Sequence, residues 1–503
     1  MKWKTAAMLV LTAAVGCHPM RGCADAAPDG MTDASQTAAA QGGAWEAWSQ
    51  KWETLKDDWT QVSMSPGADE TQMNFAWYSK DGEETGLVYG TSSDLSDGQN
   101  AQVTQTASQD GYLSNKVTLN NLQPGVTYYY QVTGKEIESF TTDDDTSDFS
   151  FIFVGDPQIG SSNSAKDDSP EDMQTPEFLT AQSEAVRNDS FNWNYTLNRA
   201  FAKTGNSANF ILSAGDQIQT NYEDAEDTRI SEIEYAGYLS PDVMKSVPVA
   251  TTVGNHDADN PNYTYHFNIA NMSDLGDNGY VGGDYYFTYG DALFMILNTQ
   301  DTNVSEHKQF IEETVAANQD CKWRIVTLHQ DIYGSAEHSN EPEITNLRYS
   351  LVPIFEENDV DIVLTGHDHA YSRTKMLQGG QSTTGFEYTD DEFDEQLDKD
   401  VDVGDSTETI YEAPANISDD TTDPAEQRYL EYLYSVMDED AVLELTDNQD
   451  VAIDSAGIMY LTAGSSSGSK YYDLVPRQQT YIANRWQQDV PTYSVIDVTE
   501  TTL

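Results

Sequence analysis

The chain has 503 residues, enough for two or three domains, and its 38% hydrophobic content still allows a buried core. Its 25 basic and 85 acidic residues give a formal charge of −60. That charge repels nucleic acid and anionic membrane surfaces, so no nucleic-acid binding is expected, and any affinity for cations has to be argued from a particular site.

The N-terminus reads as an export signal. Lys2 and Lys4 precede an apolar run from Ala6 to Val15, and Ala24-Asp25-Ala26 fits a small-x-small cleavage site. The run is too short to span a bilayer, and no later stretch qualifies as a transmembrane helix. The expectation is a signal peptide over residues 1–26 and a secreted or cell-surface protein. A competing reading is a lipoprotein signal ending at Cys17, but Ala14-Val15-Gly16 lacks a bulky aliphatic residue at its first position, so cleavage after Ala26 fits better. Cys17 and Cys23 then leave with the signal. Cys321 alone remains, which excludes a disulfide framework and reads as a small buried or half-buried thiol.

Residues 27–44, rich in Ala, Gly, Ser, Thr and Asp, read as a flexible leader. Residues 45–146 carry an all-β pattern. "TQMNFAWYS" alternates with Met73, Phe75 and Trp77 on one face, "TGLVYGTS" and "NKVTLNNL" are further short strands, and "LQPGVTYYYQVTG" sets a Pro-Gly turn before a Tyr-rich strand. Short strands at this spacing predict a β-sandwich. The stretch "VTLNNLQPGVTYYYQV" resembles the late strands of a fibronectin type III domain. The aromatic residues from Trp45 to Trp59 are read as core rather than as a sugar-binding face.

From residue 147 the rhythm changes to α/β. Apolar strands are "FSFIFVGD", "ANFILSAGD", "VPVATTVGNHD", "ALFMILNTQD", "WRIVTLHQD" and "VDIVLTGHDH". Helical stretches are Trp193 to Lys203, Glu232 to Met244, Ser305 to Asn318 and Ile344 to Glu357. About 378–454 is strongly acidic and reads as an insertion containing one amphipathic helix, "EQRYLEYLYSVM". The stretch "AGIMYLTAGSSSGSKYYD" then returns to the core sheet.

Five of the six strands end in a metal-binding type of side chain: Asp156, Asp216, Asn255-His256, His329, then His367 and His369. Ligands of open α/β sheets gather at the carboxyl ends of strands. One such Gly-Asp would be an ordinary turn; five in series point to a metal site. The types suit two cations. Hydrolysing a phosphate ester needs a strong nucleophile near neutral pH and neutralised phosphoryl oxygens, and two divalent ions about 3.5–4 Å apart supply both. A carboxylate can bridge two ions, while imidazole and amide ligands fill coordination positions without cancelling charge. The centre therefore stays positive and attracts phosphate even in an acidic chain.

The ordered series "GDPQIG", "GDQIQ", "GNHD", "TLH", "GHDH" resembles the metallophosphoesterase (calcineurin-like) superfamily, with "GNHD" and "GHDHAYSR" its most specific parts. With a fibronectin-like domain in front, the chain looks like the purple acid phosphatase branch or its bacterial relatives. The resemblance covers most of residues 45 to 375 and the closing "AGIMYLTAGSSSG". It implies a metallophosphoesterase αββα sandwich over 147–503, preceded by the all-β sandwich. It also implies that Asp156 and His369 hold one metal, that Asp216 bridges, and that Asn255, His329 and His367 hold the second. His256 would face the substrate. His338, nine residues after His329, is placed like a substrate-facing histidine and is a general-acid candidate. Tyr371 and Arg373 in "HAYSR" are substrate-contact candidates, with packing or an ion pair as the plainer account.

Two positions depart from the family pattern. Gln158 stands where many members carry a histidine ligand; it is a candidate amide ligand, a partner for a bound water, or only a turn residue. Gln219 stands where purple acid phosphatases carry the tyrosine that binds ferric iron, and Tyr222 has the wrong spacing to replace it. The expected cofactors are therefore two divalent ions (Mn²⁺, Zn²⁺ or Fe²⁺) without purple colour.

The function implied is an exported two-metal hydrolase of phosphate monoesters, in which a metal-activated water or hydroxide attacks phosphorus in line. The partner is a small phosphorylated substrate. A phosphodiesterase acting on nucleotides or glycerophosphodiesters stays open. So does a surface binding protein with a weakened metal site.

Overall fold

The computed structural model describes residues 8–10 and 31–503, apart from 110, 166–172, 174, 221–228, 260, 381–386, 402–414 and 444–450. The expected cleavage site, Cys17, Cys23 and Tyr222 lie outside the described residues, as does most of the expected export signal. Within that signal, Met8–Val10 pairs antiparallel with Val451–Ile453. No helix among the described residues is long and apolar enough to cross a membrane.

Two four-stranded antiparallel sheets form the N-terminal sandwich. One contains Ser63–Pro66, Met73–Lys80, Tyr112–Leu119 and Thr104–Ala107; the other contains Gln99–Asn100, Leu87–Gly90, Thr127–Val132 and Glu138–Thr141. Phe75, Trp77, Tyr130 and Phe140 fill the space between them. Along Met73–Lys80 every residue except Lys80 is buried. The inner face packs in the sandwich. The outer face lies against the α/β domain, where Tyr78 stacks on His266 at 4.5 Å. Hydrogen bonds from Ser114 Oγ to Tyr265 O (2.8 Å) and from Tyr130 OH to Lys245 O (2.8 Å) tie the two domains.

The α/β domain has two facing sheets. The first runs Val249–Thr251, Phe210–Ser213, Phe149–Val154, Ser494–Val498, the first three parallel. The second has seven strands, of which Ala292–Ile296, Trp323–Thr327, Ile362–Thr365 and Met459–Thr462 run parallel. Strands buried on both faces read as unbroken apolar runs. Alternation then sorts their side chains by layer. Phe151 and Phe153 point between the sheets, where Phe151 meets Phe294 edge-on at 5.4 Å. Ile152 and Val154 point outward under Val186, Trp193, Leu197 and Tyr235 of helices Pro176–Lys203 and Arg229–Tyr238. On the far side, helices Val304–Ala317 and Pro342–Glu357 cover Met295, Val326 and Val363. The layers are αββα, as the motifs imply.

Three regions depart from the sequence reading. Residues 31–43 lie in the span read as a flexible leader, but Ala34 and Ala40 are packed into the α/β core, while 41–43 are exposed. Ala34 is fully buried, its N–H donates to Asn188 Oδ1 (2.7 Å), and Thr32 N–H donates to Gly468 O (2.8 Å). Small residues permit this close approach. Residues 45–55, read with the β-domain, belong to the helix Ala44–Leu55. Its Trp45, Trp48, Trp52 and Leu55 follow helical spacing, and Trp48 Nε1 donates to Arg187 O (2.7 Å) on the α/β domain. In the acidic insertion, Pro424–Ser435 is joined by a second helix, Asp390–Val401. Phe393, Leu397, Tyr429, Leu430 and Leu433 give the pair its own apolar core. Tyr432 OH then donates to Asn340 O (2.9 Å), seating the insertion on the turn that carries His338.

Candidate metal centre

Because both sheets are mainly parallel, the carboxyl ends of their strands open at one edge. Asp156, Asp216 and Asn255 follow strands of the first sheet; His329, His367 and His369 follow strands of the second. Ligand atoms of Asp156, Asp216 and His329 all lie within 4.8 Å of one another. His329 Nε2 is 3.0 Å from Asn255 Oδ1, 3.4 Å from Asp216 Oδ2 and 3.2 Å from His367 Nδ1. His369 Nε2 is 3.6 Å from Asp156 Oδ1. Asp216 thus lies between a side formed by Asp156 and His369 and a side formed by Asn255, His329 and His367.

The surrounding backbone sets which atom of each ring faces inward. His329 Nδ1–H donates to Ala214 O (2.9 Å), and His369 Nδ1–H donates to Lys470 O (2.9 Å). Each ring thereby turns Nε2 toward the cluster. Burial opposes charge on His329, but Asp216 and Asp156 outweigh it and raise it to about 9. His367 N–H donates to both oxygens of Asp156 (3.0 Å each), and His256 N–H donates to Asp216 Oδ1 (2.9 Å). The loops that do this are strained: Asp156, Gln158, Asp216, His367 and His369 all have positive φ, between 35° and 72°. The glycine of each motif has a steric cause as well. A Cβ on Gly254 would sit 2.0 Å from Asp216 Oδ1, and one on Gly366 would sit 2.7 Å from Asp156 Oδ2.

Gln158 is buried, and its Oε1 has no hydrogen-bond partner among the described protein groups. A buried amide oxygen without a donor is costly. Beside Asp156 it is the kind of oxygen that a cation or a bound water satisfies. Burial, reinforced by Asp216, pushes Asp156 up to about 8. Burial acts the same way on Asp216, but His329 and His256 outweigh it and hold that carboxyl below its usual range. Burial pulls His369 down to about 3 and also depresses His367, so both rings are neutral lone-pair donors near neutral pH. Buried carboxylates opposed to each other and ringed by neutral nitrogen and amide donors form a donor set that fits two divalent cations.

Around this cluster, His256 Nδ1–H donates to Gln219 O (2.5 Å), so Nε2 is the atom left to face a substrate. Gln219 therefore supports His256 through its backbone. No phenolate stands at that position. His338 Nδ1 pairs with Glu341 Oε1 (2.5 Å), and its ring lies 4.8 Å from the His367 ring. Burial works against its charge, but Glu341 and Asp368 outweigh that and raise it to about 9. The structure thus brings His256 and His338 to the edge of the cluster. Tyr371 is packed into the layer between the sheets, and Arg373 follows on the same strand, paired with Leu461 and Asn484. That placement fits a packing role for Tyr371.

Sequence reasoning missed several supporting residues. Asp257 accepts from Gly254 N (3.0 Å), Gln217 N (3.1 Å) and Gln217 Nε2 (2.7 Å), locking the "GNHD" loop to the "GDQ" loop. Asp368 accepts from Ala336 N (2.7 Å) and His338 N (2.9 Å), docking the His338 turn on the "GHDH" loop. Both aspartates stand inside motifs already singled out, which was the available signal. Lys470 and Tyr472 carried none.

Comparison with known proteins agrees with this geometry. Residues 149–371 match the calcineurin-like phosphoesterase family, and residues 59–148 match the purple acid phosphatase N-terminal domain. The chain thus carries a calcineurin-like phosphoesterase domain preceded by a purple acid phosphatase N-terminal domain. It is 27% identical over 198 residues to purple acid phosphatase 4 of Arabidopsis thaliana, covering 34% of this chain and 55% of that protein. It is 24% identical over 323 residues to probable purple acid phosphatase 20 of the same plant, covering 60% and 66%. An uncharacterized protein of Mycobacterium tuberculosis is 25% identical over 157 residues, covering 27% and 30%. The matches thus span from under a third to about two thirds of these relatives. Among solved structures, purple acid phosphatase PPD1 from yellow lupin superposes with a TM-score of 0.51 at 14% identity, covering 87% of this chain and 70% of that one, and shares the fold.

Proposed function

We propose that the protein is an exported two-metal phosphoesterase that favours monoesters. The observation that carries this reading is the convergence of Asp156, Asp216 and His329 within 4.8 Å at the joint edge of both sheets. Asp156, Gln158 and His369 would hold one cation, Asn255, His329 and His367 the other, and Asp216 would touch both. When bound, the two ions supply an activated water near neutral pH and neutralise phosphoryl charge.

The chain's own residues do the rest. His256, oriented by the Gln219 carbonyl, presents Nε2 toward the phosphoryl group. His338, kept protonated by Glu341, stands ready to give a proton to the leaving oxygen. Glutamine at 219 supports Mn²⁺, Zn²⁺ or Fe²⁺ over ferric iron, because a hard anionic phenolate is missing. Lys2, Lys4 and the apolar run after them support export.

Purified protein with added Mn²⁺ is expected to hydrolyse p-nitrophenyl phosphate faster than bis-p-nitrophenyl phosphate, and to stay colourless when loaded with iron. His256→Ala is expected to lose roughly 10²-fold or more in kcat. Full activity in that variant, or no hydrolysis by the wild type, would overturn the reading.

A further inference from the structure

Residues 465–472 form a wall of the site that the sequence marked only as a return to the sheet. Its serines clamp the Asp156 loop: Ser465 Oγ donates to Asp156 O (3.2 Å), Ser466 N to Gly155 O (3.0 Å) and Ser467 Oγ to Pro157 O (2.5 Å). The Lys470 carbonyl then orients His369 (2.9 Å). The Tyr472 ring packs edge-on against His369 at 5.0 Å and against His338 at 4.7 Å, so it touches both the cation-holding side and the proposed acid.

The Lys470 side chain folds onto that ring. Its ammonium lies 4.4 Å from the ring centroid and donates to the Tyr472 hydroxyl. It stands within electrostatic reach of Glu337, Asp216 and Asp156, yet makes no ion pair among the described residues. Placing a half-buried ammonium without an ion-pair partner is unfavourable. It cannot be explained as help for cations, since two divalent ions on Asp156 and Asp216 would repel it. An anion bound over those ions would be attracted to both.

We propose that Lys470, positioned by Tyr472, is an anion contact of this site whose ammonium receives an oxygen of the phosphoryl dianion of a monoester or of the phosphate product. This rests on the two-metal reading above and names the charge state of the ligand it takes. An ammonium is a point charge with three donors, so two remain for phosphoryl oxygens after the Tyr472 bond.

The test titrates inorganic phosphate into Mn²⁺-loaded wild type, Lys470→Met, Lys470→Arg and Tyr472→Phe by calorimetry, and Mn²⁺ into the metal-free forms. Lys470→Met is expected to bind phosphate about tenfold or more weakly, to raise KM for p-nitrophenyl phosphate more than it lowers kcat, and to bind Mn²⁺ as tightly as wild type or tighter. Lys470→Arg should recover part of the phosphate affinity, and Tyr472→Phe should lose an intermediate amount. Unchanged phosphate affinity in Lys470→Met, or weakened Mn²⁺ binding as its only defect, would overturn the proposal and make Lys470 structural. If the wild type binds Mn²⁺ and phosphate but hydrolyses no ester, the hydrolase reading fails while the phosphate titrations still decide this one. If it binds no phosphate, both fail.

Discussion

The two halves of the candidate centre are built differently. Asp156, Gln158 and His369 are at most 2% exposed. They are fastened from behind by the serines and the Lys470 carbonyl of 465–470. Asn255 and His367 are half-buried, and the half-buried His256 and His338 stand beside them. One half is wholly enclosed; in the other His329 is buried and held by the Ala214 carbonyl, while Asn255 and His367 open toward solvent. Enclosure favours retention of a cation. An open side is what exchange of substrate and product requires.

This contrast can be broken most severely at the residue between the halves. Gly254→Ala would press a methyl group into the Asp216 carboxylate. We expect Mn²⁺ affinity on both sides to fall by more than about 100-fold, read by elemental analysis after dialysis. Loss of a single equivalent would show that Asp216 serves only one half.

The next effect sharpens the contrast through the proton donor. His338→Gln should slow alkyl phosphate esters by about 10²-fold, because a poor leaving oxygen needs a proton, and should slow p-nitrophenyl phosphate far less. Equal losses on both substrates would remove the acid role.

A smaller effect is expected on the enclosed side. Gln158→Ala should lower the affinity of the tighter cation by about tenfold while leaving the weaker one unchanged. Unchanged binding of both ions would reduce Gln158 to a turn residue.

The smallest prediction concerns stability rather than chemistry. Burial, with Asp368 beside it, pushes the Asp331 carboxyl well above its ordinary value of 3.8. The folded chain therefore keeps a proton there that the unfolded chain gives up. Stability is full below that ordinary value and declines as pH rises toward the folded one. Asp331→Asn, whose amide oxygen can accept from Ser339 Oγ as Asp331 Oδ2 does, should be roughly 1–2 kcal/mol more stable at pH 7 and unchanged near pH 3. Urea melts at the two pH values would check it; a variant less stable at pH 7 would show that Asp331 is ionised in the fold.

Much of this molecule was legible in its sequence. The six apolar runs became strands because burial on both faces selects unbroken apolar sequence. Four helices were located by their periodicity, although Pro176–Lys203 begins 17 residues before the reading that started at Trp193. Its first half was obscured by polar residues such as Gln182, Asn188 and Asp189, which are buried and hydrogen-bonded within the fold. The helix Ala44–Leu55 was missed because its tryptophans were weighed only as sandwich core or sugar face. Their helical spacing shows once their partner surface is known.

What the sequence by itself determined is local: which residue types end each strand, where glycine must precede a ligand, and where a histidine or a phenolate is missing. Those features depend on a few consecutive side chains, so a motif carries them. Only the tertiary structure decided that two separate sheets open at one edge, that the insertion rests on the His338 turn, and that Lys470 and Tyr472 close the wall behind His369. These contacts join residues up to about three hundred positions apart in the chain, such as Ser467 and Pro157. No local pattern records them, because they arise when packed layers bring distant loops to the same place.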